Sequence, residues 1–416
     1  MKRACAFLLI LLTAKPAVAE TLKPLTLADC CAMALKQSEE VALRGELITE
    51  TEGRVKQALS GVLPNLSFSS TDKRQDGSGN SSFTLKNVPE RKFTLSQPLF
   101  SGFKEFAALK GSRMERRQRE FEKTRAEQIL FLDVSDAFHL LLELRKDLEA
   151  IDSIRDTLRS RIQELQDREK LGRSRGSEVV AAQAQLYRVE AEWERSQSRA
   201  AVAEQLLEFL TGLNAVGELA DPGPNLPAAD PEEQLLAKSQ DRPDVKASEQ
   251  GVDIAQQQVR VAKAKFFPTV NAEGNYYVDR AGAAEDVKWD ASLKVFVPIF
   301  QGGAATGATE EASSVLRQTE ILLRQNRRRA AQDVRSAYTE YGSALAQTRA
   351  LIKALEATEE STQYQAKEYR LNLVNNLEVL AGLQTLQNAR REVIHALYEA
   401  RRLYWKLTVS AGESLS

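Results

Sequence analysis

The sequence predicts a mainly α-helical chain with a small set of membrane-type β-strands, built as two tandem copies of one unit: helix, strand, strand, long helix, turn, helix. Three observations predict it. Blocks of sequence recur at constant spacing, the mark of an internal repeat. Residues 99–221 and 299–416 contain no proline. Short segments of alternating character precede each proline-free run.

The repeat comes first because it sets the layout. "VKQALSGVLPNLSF" (55–68) aligns with "VRVAKAKFFPTVNA" (259–272) at an offset of 204, and "FTLSQPLFSG" (93–102) with "LKVFVPIFQG" (293–302) at 200. "DVSDAF" (133–138) and "DVRSAY" (333–338), then "LGRSRGSEVV" (171–180) and "LNLVNNLEVL" (371–380), keep the offset of 200. Between the copies, "LNAVGELADPGPNLPAAD" (213–230) holds Pro222, Pro224, Pro227, Gly217 and Gly223, a linker composition. The expected layout is a first repeat over 20–213, a linker segment over 214–240 with a short helix after Pro231, and a second repeat over 241–416.

Ahead of the first repeat, Lys2 and Arg3 precede an apolar run over 4–13, and "AVA" (17–19) precedes Glu20. This is the pattern of a secretory signal peptide over 1–19, too short to span a bilayer as a helix; a membrane anchor is the alternative. Cys5 lies too early to be a lipid-attachment residue. The full chain has a formal net charge of −1; without 1–19, which hold Lys2, Arg3, Lys15 and no acid, it is −4. A nearly balanced, mildly acidic chain argues against nucleic acid as a partner. Cys30 and Cys31 are the cysteines left, and sequence neighbours cannot staple a fold.

The long helices are expected at about 104–171, 177–212, 304–371 and 377–408. In the first, Leu144, Leu148, Ile151, Ile154, Leu158, Ile162 and Leu165 recur at steps of three and four with a mean of 3.5, a coiled-coil seam. The strands are expected at about 63–71, 91–98, 268–278 and 288–298. The clearest alternation places Trp289, Ala291, Leu293, Val295 and Val297 on one face and Lys288, Asp290, Ser292 and Lys294 on the other, the length and pattern of a membrane-spanning strand. Leu66 and Phe68, Phe93 and Leu95, and Val270, Ala272, Tyr276 and Val278 are the apolar sets of the other three. Pro64, Pro98, Pro268 and Pro298 are expected at helix–strand junctions, where a missing N–H costs nothing, with Gly102 and Gly302 turning the backbone. Four strands cannot close a membrane barrel, and open edges are not tolerated in lipid, so such strands must be shared between chains.

At this point the chain resembles the TolC family of outer-membrane efflux channels. The resemblance rests on "LTLADCCAMAL", "LSQPLFSG", "VPIFQGG", "RPDVKASEQGVDIAQQQVRVAKAKFFPTV" and the repeat itself. It implies a homotrimer with a twelve-stranded β-barrel in outer-membrane lipid and a twelve-helix α-barrel in the periplasm. It implies an exit duct of a tripartite efflux or type I secretion system, docked on a periplasmic adaptor (a membrane fusion protein) and an inner-membrane RND or ABC pump. The turns between paired helices would form the adaptor-binding tips: Gly172, Arg173, Ser174, Arg175 and Gly176 in one, Asn372, Leu373 and Val374 in the other. Glu178 and Glu378 stand where the family carries acids at the pore entrance. Ala381 departs from the family's second acid one turn later, and Arg173 and Arg175 depart from its often apolar tip.

No enzyme is expected. His139 and His395 are the two histidines and neither sits in a cluster at metal spacing. There is no P-loop, G-x-S-x-G or G-x-G-x-x-G, so no cofactor is expected. Two other readings stand beside the channel. A periplasmic coiled-coil adaptor or scaffold, not spanning the membrane, should show one helical hairpin rather than doubled strand pairs. A secreted hydrolase would need a catalytic cluster.

Overall fold

The computed structural model describes residues 24–76, 85–282, 284–371 and 373–413; the segment 1–19 lies outside them. The first half runs α1 (Leu27–Gln37), α2 (Glu39–Ser60), β1 (Asn65–Arg74), β2 (Asn87–Ser101), α3 (Lys104–Lys170) and α4 (Gly176–Thr211). The second runs α5 (Glu232–Ser239), α6 (Pro243–Lys263), a 3-10 turn (Ala264–Phe266), β3 (Thr269–Arg280), β4 (Trp289–Phe296), α7 (Ala304–Arg370) and α8 (Asn376–Ser410). α2 and α6, like β1 and β3, start 204 residues apart, whereas α3 and α7, like α4 and α8, start 200 apart. The four-residue difference therefore lies within the β-hairpins. Strand register agrees: Asn65 pairs with Ser96 and, by the same offsets, Thr269 pairs with Phe296.

Local chemistry sets the helix starts. Thr26 and Asp29 form a reciprocal capping box at α1, the Ser38 side chain caps α2, and Pro243 occupies the first turn of α6. These groups satisfy N–H donors that a helix start otherwise leaves open. The 67 residues of α3 make a rod of about 100 Å. Its apolar seam faces α4: Ile151, Ile154, Leu158 and Leu165 are buried in one cluster with Val179, Ala182 and Val189.

The strands form one antiparallel sheet in the order β1-β2-β3-β4. Near the sheet the helices lie side by side as α2, α3, α6, α7; farther out, α4 packs on α3 and α8 lies between α3 and α7. A core joins α1, α3 and α4 through Cys30, Ala34, Phe138, Leu141 and Leu207, and a second joins α5, α7 and α8 through Leu235, Val334, Tyr341 and Leu407. The stretch 213–230 is tethered rather than free. Leu25 bridges Leu219 in parallel, and Arg145 donates to the carbonyls of Gly217 and Val216 at 2.8 and 3.2 Å. Burial holds the Cys30 thiol up at about 11 and the Cys31 thiol at about 12, so both stay protonated.

Two corner details differ from the sequence reading. Pro98 is not at the end of its strand: β2 runs through it to Ser101. Pairing with β1 already stops at Ser96, and the β2–β3 register shifts between Pro98 and Phe100. The absent N–H therefore falls where β2 has outrun β1, beside an irregularity, the two settings in which a strand tolerates proline. The turn is also not made by glycine alone. Gly102 and Phe103 both have φ of 63°, and the matching pair in the second copy is Gly302 and Gly303, at 59° and 87°.

Candidate functional site: sheet faces and hairpin tips

The register builds two unlike faces on the sheet. Phe68, Phe93, Tyr276 and Trp289 lie in one row across all four strands, and Leu66, Leu95, Gly274 and Ala291 in another. Phe68 and Phe93 stack at 5.0 Å between ring centroids. All four aromatic residues of the first row are exposed, as are Leu293 and Val295. A contiguous exposed apolar face of this size marks a surface that meets lipid or protein rather than water. The opposite face is a hydrogen-bonded polar net. Thr94 donates to Asn275 (2.8 Å), Asn275 and the Tyr277 hydroxyl donate to Asp290 (2.9 and 2.8 Å), and Lys294 meets Glu273 at 2.5 Å. Strands of 8 to 15 residues with this alternation match the dimensions of barrel strands. Among the described residues no helix is long and apolar enough to cross a membrane.

At the other end of the long helices are the two tips, and their backbones share one closure. Arg173 N–H donates to Arg168 C=O at 2.8 Å, and Leu373 N–H donates to Glu368 C=O at 2.9 Å. Gly172 takes the left-handed conformation this closure requires, with φ of 67°; its counterpart Asn372 lies outside the described residues. Arg173 and Arg175 are exposed, and Ser174 turns back to donate to Glu178 at 2.8 Å. In the second tip Asn375 caps α8, accepting from Glu378 N–H at 3.0 Å, while its amide holds the Glu378 carboxylate at 2.7 Å. Glu378 is exposed and borders a groove with Thr358, Thr362, Gln365, Ala381 and Gly382; Glu178 is half-buried. Leu373 is exposed, whereas Val374 packs on the buried α3–α4 cluster.

The pairing of charged groups between the hairpins went unread in the sequence. Arg161 on α3 donates to Asn376 Oδ1 at 3.1 and 2.9 Å and stacks on the Tyr369 ring. Asp147 on α3 takes two bonds from Arg391 on α8, at 2.6 and 3.1 Å, and one from Ser196 on α4. The bidentate bond to Asp147 raises the Arg391 pKa further, against the opposing effect of burial, so the guanidinium stays charged. Glu143 joins His395 and Arg402, each at 2.8 Å. Partners so far apart in sequence leave no local spacing to read. Among the described residues no group of three or more His, Cys, Asp or Glu could hold a metal ion.

Comparison with known proteins agrees with this geometry. Residues 237–413 match the family described as outer membrane efflux protein. The chain is 25% identical to Protein CyaE of Bordetella pertussis, over 96% of this chain and 86% of that one. It is 22% identical to the alkaline protease secretion protein AprF of Pseudomonas aeruginosa, over 92% and 85%. Its fold superposes on solved CusC with a TM-score of 0.82 at 17% identity, covering 93% of this chain and 92% of that one. On the outer membrane protein VceC of Vibrio cholerae the TM-score is 0.79 at 19% identity, covering 93% and 96%. Residues 237–413 are thus similar to the outer membrane efflux protein family, and the chain shares the fold of the solved CusC and VceC proteins.

Proposed function

We propose that three copies of this chain form the outer-membrane exit duct of a tripartite export system. The four-stranded sheet contributes one third of a twelve-stranded barrel, and the helices contribute one third of a twelve-helix tube in the periplasm. The observation that carries the reading is the sheet: one continuous apolar face, one hydrogen-bonded polar face, and β1 and β4 each with one edge unpaired among the described residues. Lipid would satisfy the apolar face, but only ring closure satisfies the edges. The tips, at the far end of the rods from the sheet, are then where a periplasmic adaptor and an inner-membrane RND or ABC pump dock. Conduction is passive, with energy supplied by the pump. Three copies, six repeats in all, would supply the closure that one copy cannot.

The cargo we propose is protein, by type I secretion. The support is a relative matched over nearly the whole chain that bears the name alkaline protease secretion protein, with a second, the proteases secretion protein PrtF of Dickeya chrysanthemi, matched over 39% of this chain. Native mass measurement in detergent tests the assembly: a trimer is expected, and a stable monomer with an intact sheet would refute it. Deleting the gene tests the cargo. Loss of a secreted protein with unchanged drug susceptibility is expected; the reverse result would move the reading to small-molecule efflux.

A further inference from the structure

We propose that the cleft between the start of α2, the middle of α3 and the start of α6 binds a small zwitterion, with a guanidinium or ammonium group at one end and a carboxylate at the other. The cleft measures about 450 Å³, and Ala126, Ile129, Leu130 and Ala247 supply apolar lining. That size, apolar walls and a few charged groups are the make-up of a small-molecule site. The inference does not rest on the channel reading. It comes from comparing the two halves of the chain.

The cationic end follows from the internal repeat. In the second half Arg242 immediately precedes α6 and is 2% exposed. It donates to both carboxylate oxygens of Asp244, at 2.7 and 2.8 Å, and to Asp333 on α7 at 2.9 Å. Two carboxylates thus share one guanidinium through charge-assisted bonds. The offsets of 204 for α2 and α6 and of 200 for α3 and α7 give the matching positions in the first half: Ser38, Glu40 and Asp133. All three line the cleft. Both acids are kept, but a serine stands at the arginine position. Ser38 accepts from Val41 N–H at 3.3 Å and bonds to neither acid. Arg44, in the second turn of α2, pairs with Glu40 at 2.8 Å. The Asp133 carboxylate has no hydrogen bond or ion pair among the described residues.

The anionic end is set by Arg125. Its guanidinium donates to the Gln128 side chain at 3.0 Å and to the Val409 carbonyl at 3.3 Å, both uncharged, and it has no ion pair among the described residues. Burial, with Arg242 nearby, pushes its pKa down against the pull of Asp244 and Asp333, as expected of a cation short of countercharge. An acid and a base that each lack a charged partner therefore line one cleft. They lie eight residues apart on α3, about 12 Å of helix rise, and do not pair with each other. Ile129 lies midway between them and is 48% exposed. A ligand with opposite charges at its ends answers both groups, and its methylenes meet Ile129. A simple cation would meet Arg125 and Arg44 unrelieved, and a simple anion would meet Asp133.

Calorimetry on the purified full chain tests the site, with γ-guanidinobutyrate as the zwitterion and butyrate and propylguanidinium as its two halves. The zwitterion should bind about tenfold tighter than either half, or more, because each end adds a bond between charged groups. Asp133→Asn, nearly unchanged in size, should reduce the zwitterion to the affinity of butyrate. Arg125→Gln should reduce it to that of propylguanidinium. Ser38→Arg gives the first half the side chain that the second carries at Arg242, and it should abolish binding by occupying the cationic end. Should Ser38→Arg or Arg125→Gln fail to fold, Asp133→Asn and the two half-ligands decide the matter. A half that binds as tightly as the zwitterion, binding unchanged by Asp133→Asn, or no binding of the zwitterion to the folded protein would overturn the site.

Discussion

The guanidinium of Arg161 lies 3.8 Å from the centroid of the Tyr369 ring while donating two hydrogen bonds to the side-chain oxygen Oδ1 of Asn376. One side chain of α3 thus holds the last turn of α7 and the first turn of α8. Asn376 is fully buried and its side-chain nitrogen has no hydrogen-bond partner among the described residues, so Arg161 is its main polar tie. Arg161→Ala strands the carbonyl oxygen as well, at a cost of about 1–3 kcal/mol. Amide exchange at residues 373–378 should speed up by about tenfold or more, since 1.4 kcal/mol is a factor of ten. Unchanged exchange would show that packing alone seats the second tip.

Glu378 gives the clearest test of the entrance. It is exposed, with its carboxylate oriented by Asn375, whereas Glu178 is half-buried and engaged by Ser174. Three copies of Glu378 around an entrance would concentrate cations. Glu378→Gln should lower cation selectivity in single-channel recording and weaken block by multivalent cations, with a smaller effect for Glu178→Gln. Unchanged selectivity would remove Glu378 from the pore.

In the proposed exit duct, Arg173 is the tip residue that would read the adaptor. Its backbone is fixed by the bond to Arg168 and its side chain is exposed. Arg173→Glu should reduce adaptor crosslinking and export together, by about one to several kcal/mol of binding if the pair it breaks is desolvated. Trimer levels in the outer membrane should hold, because the residue lies outside the core. Normal crosslinking would return Arg173 to the class of solvated turn residues.

His139 should make the fold acid-sensitive. It is buried, with Nδ1 2.8 Å from the Ser135 carbonyl. Burial, reinforced by Arg401 and Arg402, lowers its pKa to about 4, against 6.5 ordinarily, while Ser135 and Asp221 oppose the shift. Between those two values the unfolded chain binds the proton and the folded chain does not. Stability is therefore full above about pH 6.5 and falls as pH drops toward 4, by about 3 kcal/mol for this group. His139→Gln should lose that portion of the pH dependence. Urea midpoints at pH 7 and pH 4.5 measure it, and parallel losses in both proteins would exclude His139 as the source.

Much of the fold could be read from the sequence because its signals are periodic. The seam through Ile151, Leu158 and Leu165 repeats at 3.5, and the 289–297 stretch alternates at two; both periods belong to the local chain and survive in the structure. The corners and clamps were harder for physical reasons. Pro98 looks like a strand end, yet it sits inside β2 because the neighbouring strand stops first. Phe103 occupies a left-handed position where glycine is the usual choice; its ring packs edge-on against Phe100 at 5.2 Å. Arg161 with Asn376, and Asp147 with Arg391, depend on which helices the tertiary fold brings together, and no window of sequence contains both partners.

The equal length of α3 and α7 has a mechanical consequence. Each has 67 residues and each starts just past its corner, after Phe103 and after Gly303. The two rods therefore end flush, and in a ring of copies the rim is level all the way round. One residue inserted into either rod would lower its tip by about 1.5 Å and swing it by about 100° around the axis. A mating surface would then rock on an uneven rim and meet the wrong side of every second tip. Between the start of α2 and the first tip, and between the start of α6 and the second, the length difference lies in the β-hairpins, at the opposite end of the molecule, where an extra four residues disturb no such fit.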